Sequence, residues 1–144
     1  MRSLLDINVL IALFDPDHAF HDRAHAWWSD NGDHGWASCP LTENGAIRIL
    51  SHPSYSRKIQ FTPAELIEGF REFSQRTDHE FWGDSISLLD QGIFDSGQIH
   101  NSRQLTDLYL LALAVFHHGR LVTFDEGIVL STVLDAKAGN LHIL

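Results

Sequence analysis

The sequence has only one cysteine, Cys39, among its 144 residues. A single thiol cannot form an intramolecular disulfide, and a cysteine-rich zinc site is excluded for the same reason. A chain of this length buries roughly two-thirds of its unfolded surface on folding, so its core needs no covalent cross-link. We therefore expect one domain over residues 1–144 that folds in a reducing compartment.

Long hydrophobic runs are also missing. No apolar stretch approaches the ~20 residues that a membrane-spanning helix requires. Near the start of the chain, Asp6 and the acidic turn at 15–17 interrupt the apolar segment that a secretory signal would need. These features predict a cytoplasmic protein that does not associate with a membrane.

Positive charge is scarce. The chain has 10 lysines and arginines against 19 aspartates and glutamates, which gives a formal net charge of −9. Proteins that bind nucleic acid usually present a basic surface, so this balance weighs against such a partner. The excess of acidic residues also suggests that several of them are concentrated at one place for a functional reason. If several of them hold a metal ion, the remaining charge is ordinary for a domain of this size.

Short apolar segments that are typical of strands alternate with longer helical stretches. Because parallel strands need crossover connections, this alternation predicts a three-layer α/β/α fold with a central, mostly parallel sheet. Gly119 is expected to close the last helix. The predicted strands are 2–5, 35–39, 85–87, 121–124 and 141–144, and the predicted helices are 7–14, 18–31, 40–50, 63–73 and 104–118.

Four acidic residues occupy equivalent places in this predicted fold. Asp6 and Asp125 directly follow strands, and Glu43 and Asp107 lie in the first turns of helices. Each one alone has an ordinary explanation, as an N-cap or as a partner of the helix dipole. Together they fall at the carboxyl edge of the sheet, where the ligand crevice of open α/β folds lies.

Four carboxylates gathered at one edge would repel each other. Two unit charges about 4 Å apart cost on the order of 4 kcal/mol at an effective dielectric near 20. Helix capping would not draw these acids together, whereas a divalent cation turns their repulsion into coordination. Sites made only of oxygen ligands suit Mg²⁺ or Mn²⁺. The pattern therefore predicts a magnesium or manganese site.

Several segments resemble motifs of the VapC toxin family of PIN-domain proteins. They occur in the order typical of the family and cover nearly the whole chain. The resembling segments are 4–10, 42–50, 79–82, 106–114 and 121–125. The resemblance implies that Asp6, Glu43, Asp107 and Asp125 are the catalytic, metal-holding acids. It gives supporting roles to Asn8 and Thr123, although Thr123 also fits as an ordinary β-branched strand residue.

The same resemblance implies an activity and partners. It implies a metal-dependent ribonuclease that hydrolyses the phosphodiester bonds of RNA, with transfer RNA among the candidate substrates. In such an enzyme the metal lowers the pKa of a coordinated water, which then attacks phosphorus in line with the leaving oxygen. The resemblance further implies a toxin that forms a homodimer and accepts a cognate antitoxin.

Contact with the phosphates of RNA must come from the few lysine and arginine side chains. Arg48 lies about one helical turn beyond Asn44, and Arg103 precedes Asp107 closely in sequence, so both are candidate phosphate contacts. Ordinary surface positions explain the two arginines somewhat better than phosphate contacts do. Charge reversal at each position distinguishes these interpretations, because phosphate contacts make RNA binding sensitive to salt.

His18, His21 and His25 follow one another at helical spacing, which zinc sites also use. No glutamate lies between His21 and His25, as it would in a metalloprotease motif. We therefore expect these three histidines to form a solvated helix face rather than a metal site.

Two other functions fit part of the sequence. A phosphatase of the haloacid-dehalogenase kind also begins with a strand ending in aspartate, but it needs a second aspartate where this chain has Asn8. A non-catalytic binding module would use the four acids only as helix caps. Nucleotide-binding folds are disfavoured, because neither a Walker A motif nor a G-x-G-x-x-G motif occurs. Metal titration separates the remaining classes, since a binding module gains no stability from Mg²⁺ or Mn²⁺.

Overall fold

The central element of the structure, a computed structural model that describes residues 1–144, is a five-stranded sheet. Its strands stand in the order β3-β2-β1-β4-β5, and every pairing is parallel. The predicted mostly parallel sheet is thus confirmed. The strands are β1 (Ser3–Leu5), β2 (Trp36–Ser38), β3 (His79–Phe81), β4 (Arg120–Thr123) and β5 (Leu141–Ile143).

Five α-helices connect and flank these strands. Two of them, α3 and α4, begin with a proline at the first helical position, and Thr62 with Glu65 forms a capping box at the start of α4. None of the helices is both long and apolar enough to cross a membrane. The helices are α1 (Ile7–Phe14), α2 (His21–Asn31), α3 (Pro40–Leu50), α4 (Pro63–Arg76) and α5 (Leu105–Phe116).

Neighbouring residues of the central strands send their side chains to opposite faces of the sheet. Leu5 and Val122 pack against α1, α2, α3 and α4 on one face, while Leu4 and Leu121 pack against α5 on the other. All four side chains are fully buried. Both faces of β1 and β4 are therefore covered by helices, and the predicted α/β/α layers are confirmed.

The third strand lies earlier in the chain than the sequence pattern predicts. The structure has β3 at His79–Phe81, whereas residues 85–87 have no regular structure. Two causes explain the error. β3 is an edge strand with little burial, so it lacks the apolar pattern that marks an inner strand. The apolar Ile86 lies in the segment where the strand is predicted, but it packs against the core from a loop.

The end of α5 also differs from the prediction. The helix stops at Phe116, and it is His118, with φ 55°, that adopts the left-handed conformation usually given to glycine. Gly119 is required for a different reason. A side chain there would lie 2.7 Å from the carbonyl oxygen of Arg2 and 2.8 Å from the ring of Trp82. The glycine lets β4 start directly beside the first residues of the chain.

Two of the three spaced histidines, His21 and His25, contact the end of α1, although His25 is also exposed to solvent. α2 begins only at His21, and His18 lies before it. The His21 Nδ1 atom lies 2.6 Å from the carbonyl oxygen of Ala12, and His25 Nε2 lies 3.3 Å from that of Leu13. These carbonyls belong to the last turn of α1, where no helical N–H is available to them. The expected absence of a metal motif is not tested by these contacts.

The close approach at Gly119 predicts the effect of a methyl group. We expect Gly119→Ala to lower the free energy of unfolding by about 1–3 kcal/mol, because backbone or the Trp82 ring must move to accommodate it. Gly139→Ala is the matched control, since nothing lies within 4 Å of its added carbon, and it should change stability by less than about 1 kcal/mol. Urea unfolding measures both. Equal stabilities for the two variants would contradict the packing described here.

Candidate metal centre

Asp6 is the most buried acid of the chain. Its side chain is 4% exposed, at the junction between β1 and α1. One carboxylate oxygen, Oδ1, accepts a hydrogen bond from the Ile7 backbone N–H at 2.6 Å, as the N-cap of α1. The other oxygen, Oδ2, accepts one from the Thr123 hydroxyl at 2.7 Å. Burial raises the pKa of Asp6, and these two hydrogen bonds oppose that rise.

Thr123 joins two of the candidate acids. It is the last residue of β4 and is fully buried. Its hydroxyl donates to Asp6 and accepts a hydrogen bond from the backbone N–H of Asp125 at 3.1 Å. The threonine therefore fixes the end of β4 relative to the end of β1. Its hydroxyl contact distinguishes it from an ordinary strand residue.

Asp107 and Asp125 lie close to each other and to Asp6. Asp107 is in the first turn of α5, and Asp125 follows β4, where its Oδ1 accepts a hydrogen bond from the backbone N–H of Gly127 at 2.7 Å. Burial raises the pKa of Asp107 to about 7, with further contributions from a hydrogen bond to Asp125 and from the charges of Asp6 and Asp125. Three carboxyl groups thus interact electrostatically at the carboxyl edge of the sheet. We call Asp6, Asp107 and Asp125 the aspartate group.

Glu43 makes its contacts elsewhere. It lies in the first turn of α3, and its Oε1 atom accepts a hydrogen bond from the Ser38 hydroxyl at 2.6 Å. The same hydroxyl lies 2.8 Å from Nε2 of His79. Burial lowers the pKa of His79, and the negative charge of Glu43 partly offsets this effect. The side chain of Glu43 is therefore held by Ser38 of β2, which in turn contacts His79 of β3, and it makes no hydrogen bond to the aspartate group.

The four acids do not form a ready-made metal cluster. No three side chains among His, Cys, Asp and Glu approach each other closely enough to hold a metal ion. The structure brings the aspartate group into electrostatic contact and leaves Glu43 with its own partners. The donor set nonetheless fits a hard divalent cation, because all its atoms are carboxylate oxygens, and burial together with the charges of Asp6 and Asp125 raises the pKa of Asp107 to about 7.

The remaining candidate residues occupy different positions. Asn8 is exposed on α1 and forms no side-chain hydrogen bond to the acids. Arg103 lines the same small pocket as Asp107 and Asp125. Arg48 lines a separate shallow groove with Asn44 and Thr106. Of the two arginines, only Arg103 shares a pocket with members of the aspartate group.

Two residues linked to a candidate acid, one directly and one through the other, were not predicted from the sequence. Ser38 and His79 both bond to the network around Glu43. The segment 79–82 resembles a recurring family segment, but the resemblance assigned it no role. A correct placement of β3 beside β2 was the signal needed, because the two strands bring these residues together.

Comparison with known proteins identifies the group to which this architecture belongs. The sequence pattern of the PIN domain matches residues 3–130. Ribonuclease VapC44 of Mycobacterium tuberculosis (strain CDC 1551 / Oshkosh) is 45% identical over 144 residues, the whole of both chains. Ribonuclease VapC39 of the same strain is 39% identical, again over the whole of both chains.

A third relative matches a shorter part of the chain. Ribonuclease VapC38 of Mycobacterium tuberculosis (strain ATCC 25618 / H37Rv) is 38% identical over 128 residues, which cover 88% of this chain and 86% of the relative. The chain belongs to the PIN-domain family, within the VapC type that these relatives represent. The family resemblance drawn from the sequence motifs is thereby confirmed.

The raised pKa of Asp107 predicts a pH dependence of stability in metal-free protein. Between its ordinary value of 3.8 and about 7, the unfolded chain releases a proton that the folded protein keeps. The free energy of unfolding should therefore fall as the pH rises through this window. A shift of this size contributes no more than about 4 kcal/mol.

Asp107→Asn removes this contribution. Urea unfolding between pH 4 and about 7.5, in the presence of chelator, should show a smaller decline for the variant than for the unaltered chain. Asp135→Asn serves as the matched control, because Asp135 is exposed and lines a different pocket from Asp107 and Asp125. If Asp107→Asn and Asp135→Asn show the same pH profile, the electrostatic contact is absent.

Proposed function

We propose that this protein is a metal-dependent ribonuclease and the toxin of a VapBC-like toxin–antitoxin pair. The observation that carries the proposal is the aspartate group, in which carboxylates from β1, β4 and α5 repel each other at the carboxyl edge of the sheet. Relatives named ribonucleases that match the whole chain support the reaction and its substrate class. The single PIN domain spans residues 1–144 in this proposal.

The residues that would hold the metal are Asp6, Asp107, Asp125 and Glu43. When bound, Mg²⁺ or Mn²⁺ would lower the pKa of a water molecule and offset negative charge on the phosphoryl oxygens. Asp6 is oriented for this role by its two hydrogen bonds, and Thr123 keeps Asp125 at the adjacent position. Asn8 is exposed beside the site and is available to contact substrate.

The proposed substrate is RNA, with transfer RNA as the first candidate, and Arg103 is its nearest phosphate contact. Arg103 lines the pocket that contains Asp107 and Asp125, so its guanidinium can neutralise phosphate beside the reacting bond. Arg48, one groove away, is a second contact along the strand. The proposed protein partners are a cognate antitoxin and a second copy of the chain. Because its proposed substrate is cellular RNA, the proposed location is the cytoplasm.

Cleavage of RNA should depend on the metal and on the buried aspartate. With Mn²⁺, the unaltered chain should cut RNA, and chelator should abolish the reaction. Asp6→Asn and Asp107→Asn should each reduce the rate at least about 100-fold while the fold persists by circular dichroism. Asp135→Asn is the control and should retain the rate of the unaltered chain. The proposal fails if the two site variants cut at normal rates, or if only a phosphomonoester is hydrolysed.

Charge reversal tests the RNA contact separately from chemistry. In an Asp6→Asn background, which leaves RNA uncut, Arg103→Glu should weaken RNA binding and reduce its salt dependence, because a phosphate contact is lost. Arg48→Glu should have a smaller effect in the same direction. Arg57→Glu is the control, since Arg57 is exposed in the segment between α3 and α4. Fluorescence anisotropy across a range of salt concentrations measures all three. Equal losses at positions 103 and 57 would mean that only net charge matters.

A further inference from the structure

Ser38, Glu43 and His79 form a hydrogen-bonded chain that the aspartate group does not include. The Ser38 hydroxyl oxygen lies 2.6 Å from Oε1 of Glu43 and 2.8 Å from Nε2 of His79. Ser38 is 2% exposed, so water does not compete for its hydroxyl. Both contacts are within the normal range for strong hydrogen bonds to oxygen. We call this arrangement the Ser38 relay.

The donors and acceptors fix the direction of the Ser38 relay. A carboxylate only accepts hydrogen bonds, so the single hydroxyl proton of Ser38 is donated to Glu43. The serine oxygen must then accept from His79, which therefore carries its proton on Nε2. The chain runs from the imidazole N–H through the hydroxyl to the carboxylate. A neutral histidine with one defined tautomer is enough to complete it.

The sheet places these groups on the same side. Trp36 and Ser38 are two residues apart in β2, so their side chains share one face. His79 of β3 pairs directly with Trp36, and its ring packs on the Trp36 ring with centroids 4.3 Å apart. The pairing of β3 and the aromatic contact with Trp36 therefore hold the imidazole independently of its bond to Ser38. Rigid elements rather than loops orient the Ser38 relay.

Only one oxygen of Glu43 is used. Oε1 receives the hydroxyl proton of Ser38, while Oε2 accepts no hydrogen bond from within the chain. The carboxylate is thus fixed at one end, in the first turn of α3, where the helix N-terminus also stabilises negative charge. A carboxylate fixed in this way has one oxygen left for a ligand.

We propose that Ser38 and His79 are positioning residues that hold Glu43 by one oxygen and leave the other for the divalent cation. This proposal rests on the metal-dependent ribonuclease function proposed above. Groups hydrogen-bonded to a metal-binding side chain commonly change metal affinity about 10–100-fold when they are replaced. If their role were purely structural, His79 would only satisfy the hydrogen-bonding capacity of the buried Ser38 hydroxyl. Replacing either residue would then leave the metal affinity unchanged.

Metal affinity distinguishes these two roles. Isothermal titration with Mn²⁺ alone should show at least about a tenfold higher dissociation constant for Ser38→Ala and for His79→Phe than for the unaltered chain. The phenyl ring keeps the contact with Trp36 and removes only the N–H donor. Ser38→Thr and His79→Gln retain a hydroxyl and an amide donor, respectively, and should recover most of the lost affinity.

A double-mutant cycle tests whether the effect passes through Glu43. In a Glu43→Gln background, His79→Phe should cause no further loss of Mn²⁺ affinity, because the group it positions is already altered. If the losses of Mn²⁺ affinity caused by Glu43→Gln and His79→Phe add fully, the proposed role of the Ser38 relay is wrong. RNA cleavage rates should follow the same pattern, with the maximal rate reduced more than the apparent affinity for RNA.

Two matched controls separate positioning from packing. His117 stacks on Trp82 with ring centroids 4.3 Å apart, and Ser3 is a buried strand serine bonded to Arg120. Neither residue contacts Glu43, so His117→Phe and Ser3→Ala should bind Mn²⁺ as the unaltered chain does. If Ser38→Ala does not fold, the partly exposed His79 variants decide the question.

The two proposals fail in different ways. If the unaltered chain neither binds Mn²⁺ nor cuts RNA, the proposed function is wrong, and so is the role in metal binding proposed for the Ser38 relay. If the unaltered chain binds the metal and cuts RNA, but Ser38→Ala and His79→Phe match the two controls, only the Ser38 relay is wrong.

Discussion

The burial of one carboxylate, that of Asp6, is the constraint on which the site depends. A charged group with 4% exposure is costly unless every oxygen has a partner. Here the N-terminus of α1 supplies one hydrogen bond and Thr123 supplies the other. The threonine also anchors the backbone of Asp125. The cost of burying one acid is thus offset by contacts that align β1, α1 and β4, and the same contacts bring the second acid beside it.

The fold was predictable where hydrophobic pattern and packing agree. Leu4 with Leu5 and Leu121 with Val122 form apolar runs because both faces of inner parallel strands are buried. β3 was misplaced because an edge strand of polar residues carries no such pattern. The left-handed residue after α5 was assigned to Gly119 rather than His118, since the sequence does not reveal that glycine is needed there for space.

The sequence predicts which acids lie near one edge of the sheet, but not the contacts that their side chains make. Position after a strand or in a first helical turn predicts Asp6, Asp107 and Asp125 at one edge, where burial, with a smaller contribution from neighbouring carboxylates, raises the pKa values of Asp6 and Asp107. The partners of Glu43 could not be inferred, because its contact with Ser38 and His79 depends on the pairing of β2 with β3. Side-chain hydrogen bonds between distant segments leave no local signal in a sequence.

The pairing of β1 with β4 joins segments more than a hundred residues apart, Ser3–Leu5 with Arg120–Thr123. Asp6 cannot acquire its threonine partner until that late segment has been synthesised and has entered the middle of the sheet. A growing chain that has not yet reached residue 120 therefore lacks both β4, the inner strand between β1 and β5, and Asp125. Contacts this far apart also slow folding, because a long loop must close first. In the proposed ribonuclease, the aspartates that would hold the metal can therefore come together only after nearly the entire message has been translated.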